Sequence, residues 1–361
     1  MKLLILSNPE SGKTRSAVPA RFQTMIEALK KGGIDAVHHF VNTPQDVKNL
    51  IQQTNPDIVF SSAYYVSEKS NQINIQSLLG SLNIPSIGSD KKSLELVISK
   101  QALKKKWIAD GITTPCSTIL RLKLSPHYFS TEQLDRLTKY PYILKPNREG
   151  NSRGIDSSSI IRDKVAFRYK AVEMTQKYGE VLVERYLGDF GDIREYTVAM
   201  IGGNNHMLVM PAEIILTTKI VPRLVSRADK DQHRTKAVEI GDPEVKRTVS
   251  NLARKAFESS GVCDYSRCDI LYADSTYFAI EINGLPMLPD LWFQNCARYS
   301  GLDEIQYINA VVSAGIARNI KKGKLNLPIP TQMQKLIPAE IFQIICTDYK
   351  QTCFSNSVFM A

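Results

Sequence analysis

The chain has 361 residues, 43% hydrophobic and 23% charged, and its 46 Lys plus Arg against 36 Asp plus Glu give a formal net charge of +10. That length allows two or three domains with a well-buried core, and the composition is that of a globular protein rather than a disordered or fibrous one. No stretch approaches the roughly 20 apolar residues of a membrane span, and the six cysteines, at 116, 263, 268, 296, 346 and 353, show neither C-x-x-C pairing nor disulfide-dense spacing, which points to thiols in a reducing cytosol. The apolar opening from Met1 to Leu6 breaks at Ser7, short of a secretory signal, so a cytoplasmic location is expected. The positive surplus suits a polyanionic partner, nucleotide or nucleic acid. Lys104-Lys105-Lys106 and Lys321-Lys322-Gly323-Lys324 are short and lack interleaved aromatics. They read as solvated faces, so no nucleic acid and no membrane partner is expected.

In chain order, Lys2–Leu6 reads as a strand, and Phe22 to Lys31 as a helix stopped by Gly32-Gly33. Ala36–Phe40 and Asp57–Ser61 read as strands, Asn71–Leu82 as a helix and Ile84–Ile87 as a strand. This alternation predicts a small parallel, Rossmann-like α/β domain over residues 1–95. Lys100–Ala109 is a helix ended by Gly111, and Thr118–Leu122, Tyr142–Leu144, Ser159–Ile161 and Val181–Glu184 are strands around a helix at Val165–Tyr178. Strands return from Tyr196, a polar stretch runs from Pro222 to Pro243, and Glu244–Ser260 is an amphipathic helix. Cys268–Leu271 and Tyr277–Ile282 are strands, Glu304–Ile320 is the final helix, and the prolines in Leu325–Pro330 lead into a tail without an evident role. That tail packs on the surface or swaps to another chain, and a homodimer is compatible with it.

Chemistry concentrates in Pro141–Ile155, PYILKPNREGNSRGI. An apolar strand ends at Lys145-Pro146, and a loop with two glycines and no apolar side chain follows from Arg148 to Gly154. Such a loop can turn backbone N–H groups onto a phosphate, and Lys145 adds positive charge. Downstream, Glu281 and Asn283 in FAIEINGLP alternate on a strand, so both oxygens share a face, as oxygen-ligated Mg²⁺ requires. A phosphate loop and a metal-ligand strand together point to ATP chemistry.

These segments resemble the ATP-grasp ligases, and within them the D-alanine–D-alanine ligase branch, whose loop reads close to V-K-P-x-R-E-G-S-S-x-G. Three further segments agree in order: Ser99-Lys100; Val181 to Leu187 followed by Arg194-Glu195-Tyr196-Thr197-Val198; and Arg267-Cys268-Asp269, twelve residues before Glu281. Together they span roughly residues 1 to 320. The resemblance implies an α/β (α+β) ATP-grasp fold, with central and C-terminal ATP-grasp domains at 96–185 and 186–325 and a tail at 326–361. It implies that Lys100, Lys145, Glu149, Gly150, Asn151 and Ser152 bind the phosphates. Glu184 would meet the adenine amine, Arg185, Tyr186 and Leu187 would form the hinge, and Glu195 would take the ribose hydroxyls. Asp269, Glu281 and Asn283 would hold two Mg²⁺ ions, with Mn²⁺ able to substitute. Arg267, Lys145 and Ser152 are the catalytic candidates.

The chemistry so implied has two steps, attack of a carboxylate on the γ-phosphate to give an acyl phosphate, then attack of an amine with release of phosphate. The partners are therefore a small-molecule acid and an amino acid. The substrate half departs from the branch. Its N-terminal glutamate, which holds the first D-alanine's ammonium, falls here near Thr14, between Lys13 and Arg15. Arg153 replaces a small apolar loop residue, and Asn283-Gly284-Leu285-Pro286-Met287-Leu288-Pro289 lacks the glycine and serine that follow the metal strand. The mobile-loop lysine is also missing, with Arg223 or Arg227 as its replacement. Lys13, Arg15, Arg153, Arg223 and Arg227 are thus the substrate candidates. The departures favour a carboxylate–amine ligase of specialised metabolism, such as a mycosporine-like or dipeptide ligase, over a true D-alanine–D-alanine ligase of cell-wall synthesis. From another class, a non-catalytic nucleotide- or nucleic-acid-binding protein is the rival. Ser7 to Thr14, SNPESGKT, nearly matches a P-loop, but Ser7 stands for its first glycine and Pro19 interrupts the helix that should follow.

Overall fold

Leu3, Leu4, Ile5 and Leu6 are all buried, so β1 (Lys2–Ser7) is covered on both faces, as a central parallel strand must be. The computed structural model describes residues 1–9, 18–69, 71–121, 141–150, 152–203, 206–217 and 235–346. With β2 (Asp35–Phe40), β3 (Ile58–Ser61) and β6 (Ser86–Ile87), β1 forms a parallel sheet in the order β2-β1-β3-β6. α1 (Ala20–Lys31) links β1 to β2, and α2 (Pro44–Thr54) links β2 to β3. The sequence reading omits α2, although Thr43 and Asp46 close a reciprocal cap at its start. The helix expected over Asn71–Leu82 is split. Asn71–Asn74 is β5, paired with β4 (Tyr65–Glu68), and helix begins only at α3 (Ile75–Ser81). Asn74 is the reason: its side chain accepts the Ser77 N–H at 3.0 Å and caps the helix from within the expected span.

α4 (Lys91–Ile98), also unforeseen, and α5 (Lys100–Ala109) are capped by Asp90 and Ser99. They lead to an antiparallel sheet in the order β7-β10-β8-β9, made of β7 (Ser117–Arg121), β8 (Tyr142–Pro146), β9 (Ile160–Ile161) and β10 (Glu180–Arg185). α6 (Lys164–Tyr178) packs Phe167, Ala171 and Met174 on Leu144, Val181 and Val183.

The third sheet has the order β13-β12-β11-β14-β15, built from β11 (Arg194–Gly203), β12 (His206–Leu216), β13 (Thr235–Val238), β14 (Asp264–Ala273) and β15 (Thr276–Asn283). All its pairs are antiparallel. β13 lies inside the stretch read as a polar connection. α7 (Pro243–Ser260) covers one face, with Val249, Ala253 and Phe257 against Cys268, Ile270 and Ile282. On the other face lie α8 (Leu291–Arg298) and α9 (Glu304–Lys321), and every residue of α9 from Tyr307 to Ala317 is buried. α9 ties the first sheet to the third. Its Arg318 donates to both Asp264 oxygens at 2.6 and 2.7 Å and to the Ser86 carbonyl at 2.7 Å, while Asp264 also accepts the Gly88 N–H at 2.7 Å.

Glu304–Ile320 is not the last helix. α10 (Thr331–Leu336) and α11 (Ala339–Ile345) follow, and Met333, Ile341, Phe342 and Ile345 join the same core as α9. Residues 331–345 are therefore part of the folded core and not a surface tail; 347–361 lie outside the described residues. No helix among the described residues is long and apolar enough to cross a membrane.

Candidate active site

The phosphate-loop candidate is held at its root by Asn147, a buried residue absent from the sequence reading. Its amide oxygen accepts the Gln101 N–H at 3.0 Å and its carbonyl accepts the Lys100 N–H at 3.1 Å, while its Nδ2 donates to Glu180 at 2.8 Å. One residue thus fastens the loop to the start of α5 and to β10. Lys100 donates to the Glu149 carbonyl. Two positions need backbone geometry that most side chains avoid: Ser152 has φ 54° and Gly154 φ 75°. A Cβ at Gly154 would stand 2.6 Å from the Tyr178 hydroxyl, so that position requires glycine.

A cavity beside the loop is lined by Lys100, Lys104, Lys145, Glu149, Ser152 and Glu184, by the hinge candidates Arg185, Tyr186 and Leu187, and by Glu195, Asp269 and Glu281. The segments singled out from sequence are thereby brought together from α5, β8, β10, β11, β14 and β15. Lys104 is the correction. It was read as solvated, yet it is 2% exposed while Lys105 and Lys106 are exposed. Its ammonium lies 2.8 Å from Glu184 Oε2 and donates to Thr114 Oγ1 at 2.7 Å. Lys145 binds the other oxygen, Glu184 Oε1. Burial alone pushes the Glu184 carboxyl up, but the two ammoniums overcome it and hold its pKa at about 2. Glu184 Oε2 meets the Lys104 ammonium as an ion pair and, as a carboxylate oxygen, can still accept a further hydrogen bond. A buried acceptor beside a cavity fits a ligand N–H, such as the exocyclic amine of a purine. The Tyr186 N–H is spent on the Pro141 carbonyl at 3.0 Å, so a hinge contact from Tyr186 must come from its own carbonyl.

On the opposite wall, β14 and β15 alternate between core and cavity. Cys268 and Ile282 enter the core under α7, so Arg267, Asp269, Glu281 and Asn283 share the other face, and of these Asp269 and Glu281 line the cavity. Asp269 stands opposite Glu281, and Arg267 opposite Asn283. Asp269 accepts from the Thr197 hydroxyl at 2.9 Å and lies 3.5 Å from Arg267 Nε. Arg267 Nη1 donates to Asp290 at 2.8 Å. Burial disfavours the Arg267 charge, and Asp269, Asp290 and Glu281 more than restore it, so its pKa is raised. Asp290 was missed, yet a signal existed: it precedes Leu291-Trp292-Phe293 as a helix cap, accepting the Trp292 N–H. Two carboxylates and an amide are hard donors that suit Mg²⁺, with its other positions left for water and phosphate oxygens.

The substrate candidates are less assembled. Arg153 turns outward to Glu149 at 3.2 Å, with 65% of its side chain exposed. Lys13, Arg15, Asn151, Arg223 and Arg227 lie outside the described residues, as do Glu10 to Thr14 of the P-loop-like stretch. The front of that stretch is committed to the fold: Ser7 Oγ meets His38 Nε2 at 2.8 Å, and the Asn8 amide donates to the Val41 and Tyr65 carbonyls. After β15, Leu285 donates its N–H to the Tyr64 hydroxyl at 3.2 Å, and burial pushes that hydroxyl's pKa up to about 12.

The family profile described as D-ala D-ala ligase C-terminus matches residues 110–313, more than half of the chain. Among curated proteins, the D-alanine–D-alanine ligase of Desulforamulus reducens is 29% identical over 239 residues, which are 63% of this chain and 72% of that protein. That of Cupriavidus necator is 27% identical over 292 residues, 80% of this chain and 84% of that protein. Among solved structures, the D-alanine–D-alanine ligase of Bacillus anthracis complexed with ATP superposes with a TM-score of 0.65 at 19% identity, over 90% of this chain and 100% of that one. The VanG D-Ala:D-Ser ligase of Enterococcus faecalis gives 0.64 at 17%, over 87% and 99%. Likeness at that identity establishes the fold, which is the ATP-grasp fold expected from the motifs.

Proposed function

Because the chain belongs to the D-alanine–D-alanine ligase family, we propose that it is an ADP-forming, ATP-dependent ligase that joins the carboxylate of one amino acid to the amine of another. The observation that carries this reading is one cavity with lysines on one wall and oxygen donors on the other. Lys100 and Lys145 neutralise the phosphates beside the loop that carries Glu149, Gly150 and Ser152. Glu184 accepts from the purine amine, and Glu195 meets the ribose. Asp269, Glu281 and Asn283 hold Mg²⁺, which supplies charge neutralisation for phosphoryl transfer. Arg267, fixed by Asp269 and Asp290, offers its guanidinium to the oxygens that gain charge as the acyl phosphate forms and collapses. No side-chain nucleophile is required, since positioning and neutralisation suffice. The segments 1–95, 96–185 and 186–325 serve as N-terminal, central and C-terminal domains.

The relatives are named as ligases of D-alanine, which supports D-alanyl-D-alanine as product over the specialised-metabolite pairing suggested by the departures. A different acceptor is the second reading, favoured by Asp290, whose carboxylate lies on Arg267 just beyond the metal strand. The test is turnover with ATP, Mg²⁺ and D-alanine alone, followed by ADP release and product mass spectrometry. D-Alanyl-D-alanine with stoichiometric ADP and phosphate is expected. Turnover with another acid–amine pair and none with D-alanine would restore the specialised reading.

A further inference from the structure

Lys104 lies between Leu103 and Trp107 on the buried side of α5, with 3% of its side chain exposed. Its ammonium is pinned by Thr114 Oγ1 at 2.7 Å and Glu184 Oε2 at 2.8 Å. Lys145 reaches the same carboxylate from the cavity side, with 13% of its side chain exposed. Lys100, Glu149 and Glu281 are further charges around this cluster. Two ammoniums therefore share one fully buried carboxylate. A buried cation of this kind is costly, and an ion pair is often replaceable by apolar residues without loss of stability, so fold stability does not explain why Glu184 has two partners.

The two lysines differ in what they can do next. Lys104 is held on both sides and has nowhere to go, whereas Lys145 borders the cavity and, among the described residues, is bonded to Glu184 alone. If Lys145 turned toward a phosphate with no second cation behind Glu184, it would strand a buried carboxylate, one of the larger penalties in protein electrostatics. With Lys104 in place, Glu184 stays paired whichever way Lys145 points. We propose that Lys104 is a positioning residue, a standing counter-charge for Glu184 that frees the Lys145 ammonium to leave the carboxylate and take a nucleotide phosphate. The inference rests on the ATP-dependent reading above.

The test is a double-mutant cycle read as Mg·ATP affinity by calorimetry, with KM and kcat, on the wild type, Lys104→Met, Glu184→Gln and the double variant. Lys104→Met is expected to weaken Mg·ATP binding about 10- to 50-fold and to raise KM for ATP in parallel, with kcat at saturation changed less than about threefold. In the Glu184→Gln background the same substitution is expected to cost less than about threefold, since no carboxylate remains to be stranded. An equal loss in both backgrounds would assign Lys104 a merely structural role and overturn the proposal, as would no loss in either. Should Lys104→Met fail to fold, Glu184→Gln against the double variant decides alone, and a loss above about tenfold there overturns the proposal. Wild-type protein that neither binds Mg·ATP nor releases ADP would instead overturn the ligase reading itself.

Discussion

The two walls of the cavity carry inverse charge ratios. On the α5–β8–β10 side, Lys100, Lys104 and Lys145 gather around one carboxylate, Glu184. On the β14–β15 side, one guanidinium, Arg267, sits among Asp269, Glu281 and Asp290. Each wall pairs part of its own charge and leaves a surplus of one sign. Surplus cations suit phosphate oxygens and surplus carboxylates suit a divalent metal, so a metal–nucleotide complex satisfies both walls together. Neither surplus is explained by stability, because like charges gathered in a part-buried site oppose folding. The local structure supports the division. β14 and β15 are adjacent antiparallel strands that set Asp269 opposite Glu281 by register, whereas the lysines converge from one helix, α5, and one strand, β8, through Asn147 and Thr114.

Removing a member of the surplus on either wall should damage function more than fold, and the largest effect is expected on the anionic side. Glu281→Ala should lower kcat by at least about 10³-fold, because no other described carboxylate stands opposite Asp269 to hold metal. Its melting temperature should be unchanged or slightly raised, since a like charge beside Asp269 is lost. Rates above about a tenth of wild type in an ADP-release assay would break the comparison. Arg267→Ala should lower kcat by about 10²- to 10³-fold with little change in KM for ATP, as expected for a cation needed when charge develops. A rise in KM alone would place Arg267 in ground-state binding.

On the cationic side, Lys145→Ala should divide its effect, raising KM for ATP and lowering kcat by about tenfold each, because the same ammonium serves binding and transfer. Small and equal effects from Lys145→Ala and Arg267→Ala would show that the walls do not play distinct parts. The smallest effect concerns stability. Glu184 has a folded pKa of about 2 against an ordinary 4.5, and a depressed carboxyl pKa stabilises the fold above the ordinary value and ceases to as pH falls through the folded one. Thermal unfolding of wild type and Glu184→Gln between pH 5 and pH 2 should therefore converge, the wild type losing on the order of 3 kcal/mol that the variant does not. A constant gap across that window would mean that Glu184 is not held ionised by its lysines.

The same contrast accounts for what could be read from the chain. Glu281, Asn283, Asp269 and Arg267 were legible because a strand's period of two puts alternating polar residues on one face, with Cys268 and Ile282 marking the other. Lys145 was legible as a charge closing an apolar strand. Lys104 was not, because a triplet of lysines looks solvated unless the helix phase is followed: Lys100 and Lys104 are one turn apart, and Leu103 and Trp107 mark the buried side. Asp290 was visible only as a helix cap, and its bond to Arg267, 23 positions away, like that of Asn147 to residue 101, 46 positions away, is one that no local pattern reports. In the fold, Asn74 turned an expected helix into a strand and a shorter helix, and α10 and α11 were hidden because short helices beside prolines show too few turns to reveal a period. Arg153 was misleading in another way, since its loop position suggested the substrate mouth while its side chain turns out to Glu149.

The most direct test of the two-walled site is a reaction of the wild-type protein with ATP and D-alanine, with Mg²⁺ present or chelated, followed by nucleotide and product analysis. ADP, phosphate and a dipeptide formed only when Mg²⁺ is present are the expected result. AMP and pyrophosphate, or turnover indifferent to chelation, would contradict the assignment of the carboxylate wall to metal and the lysine wall to phosphate.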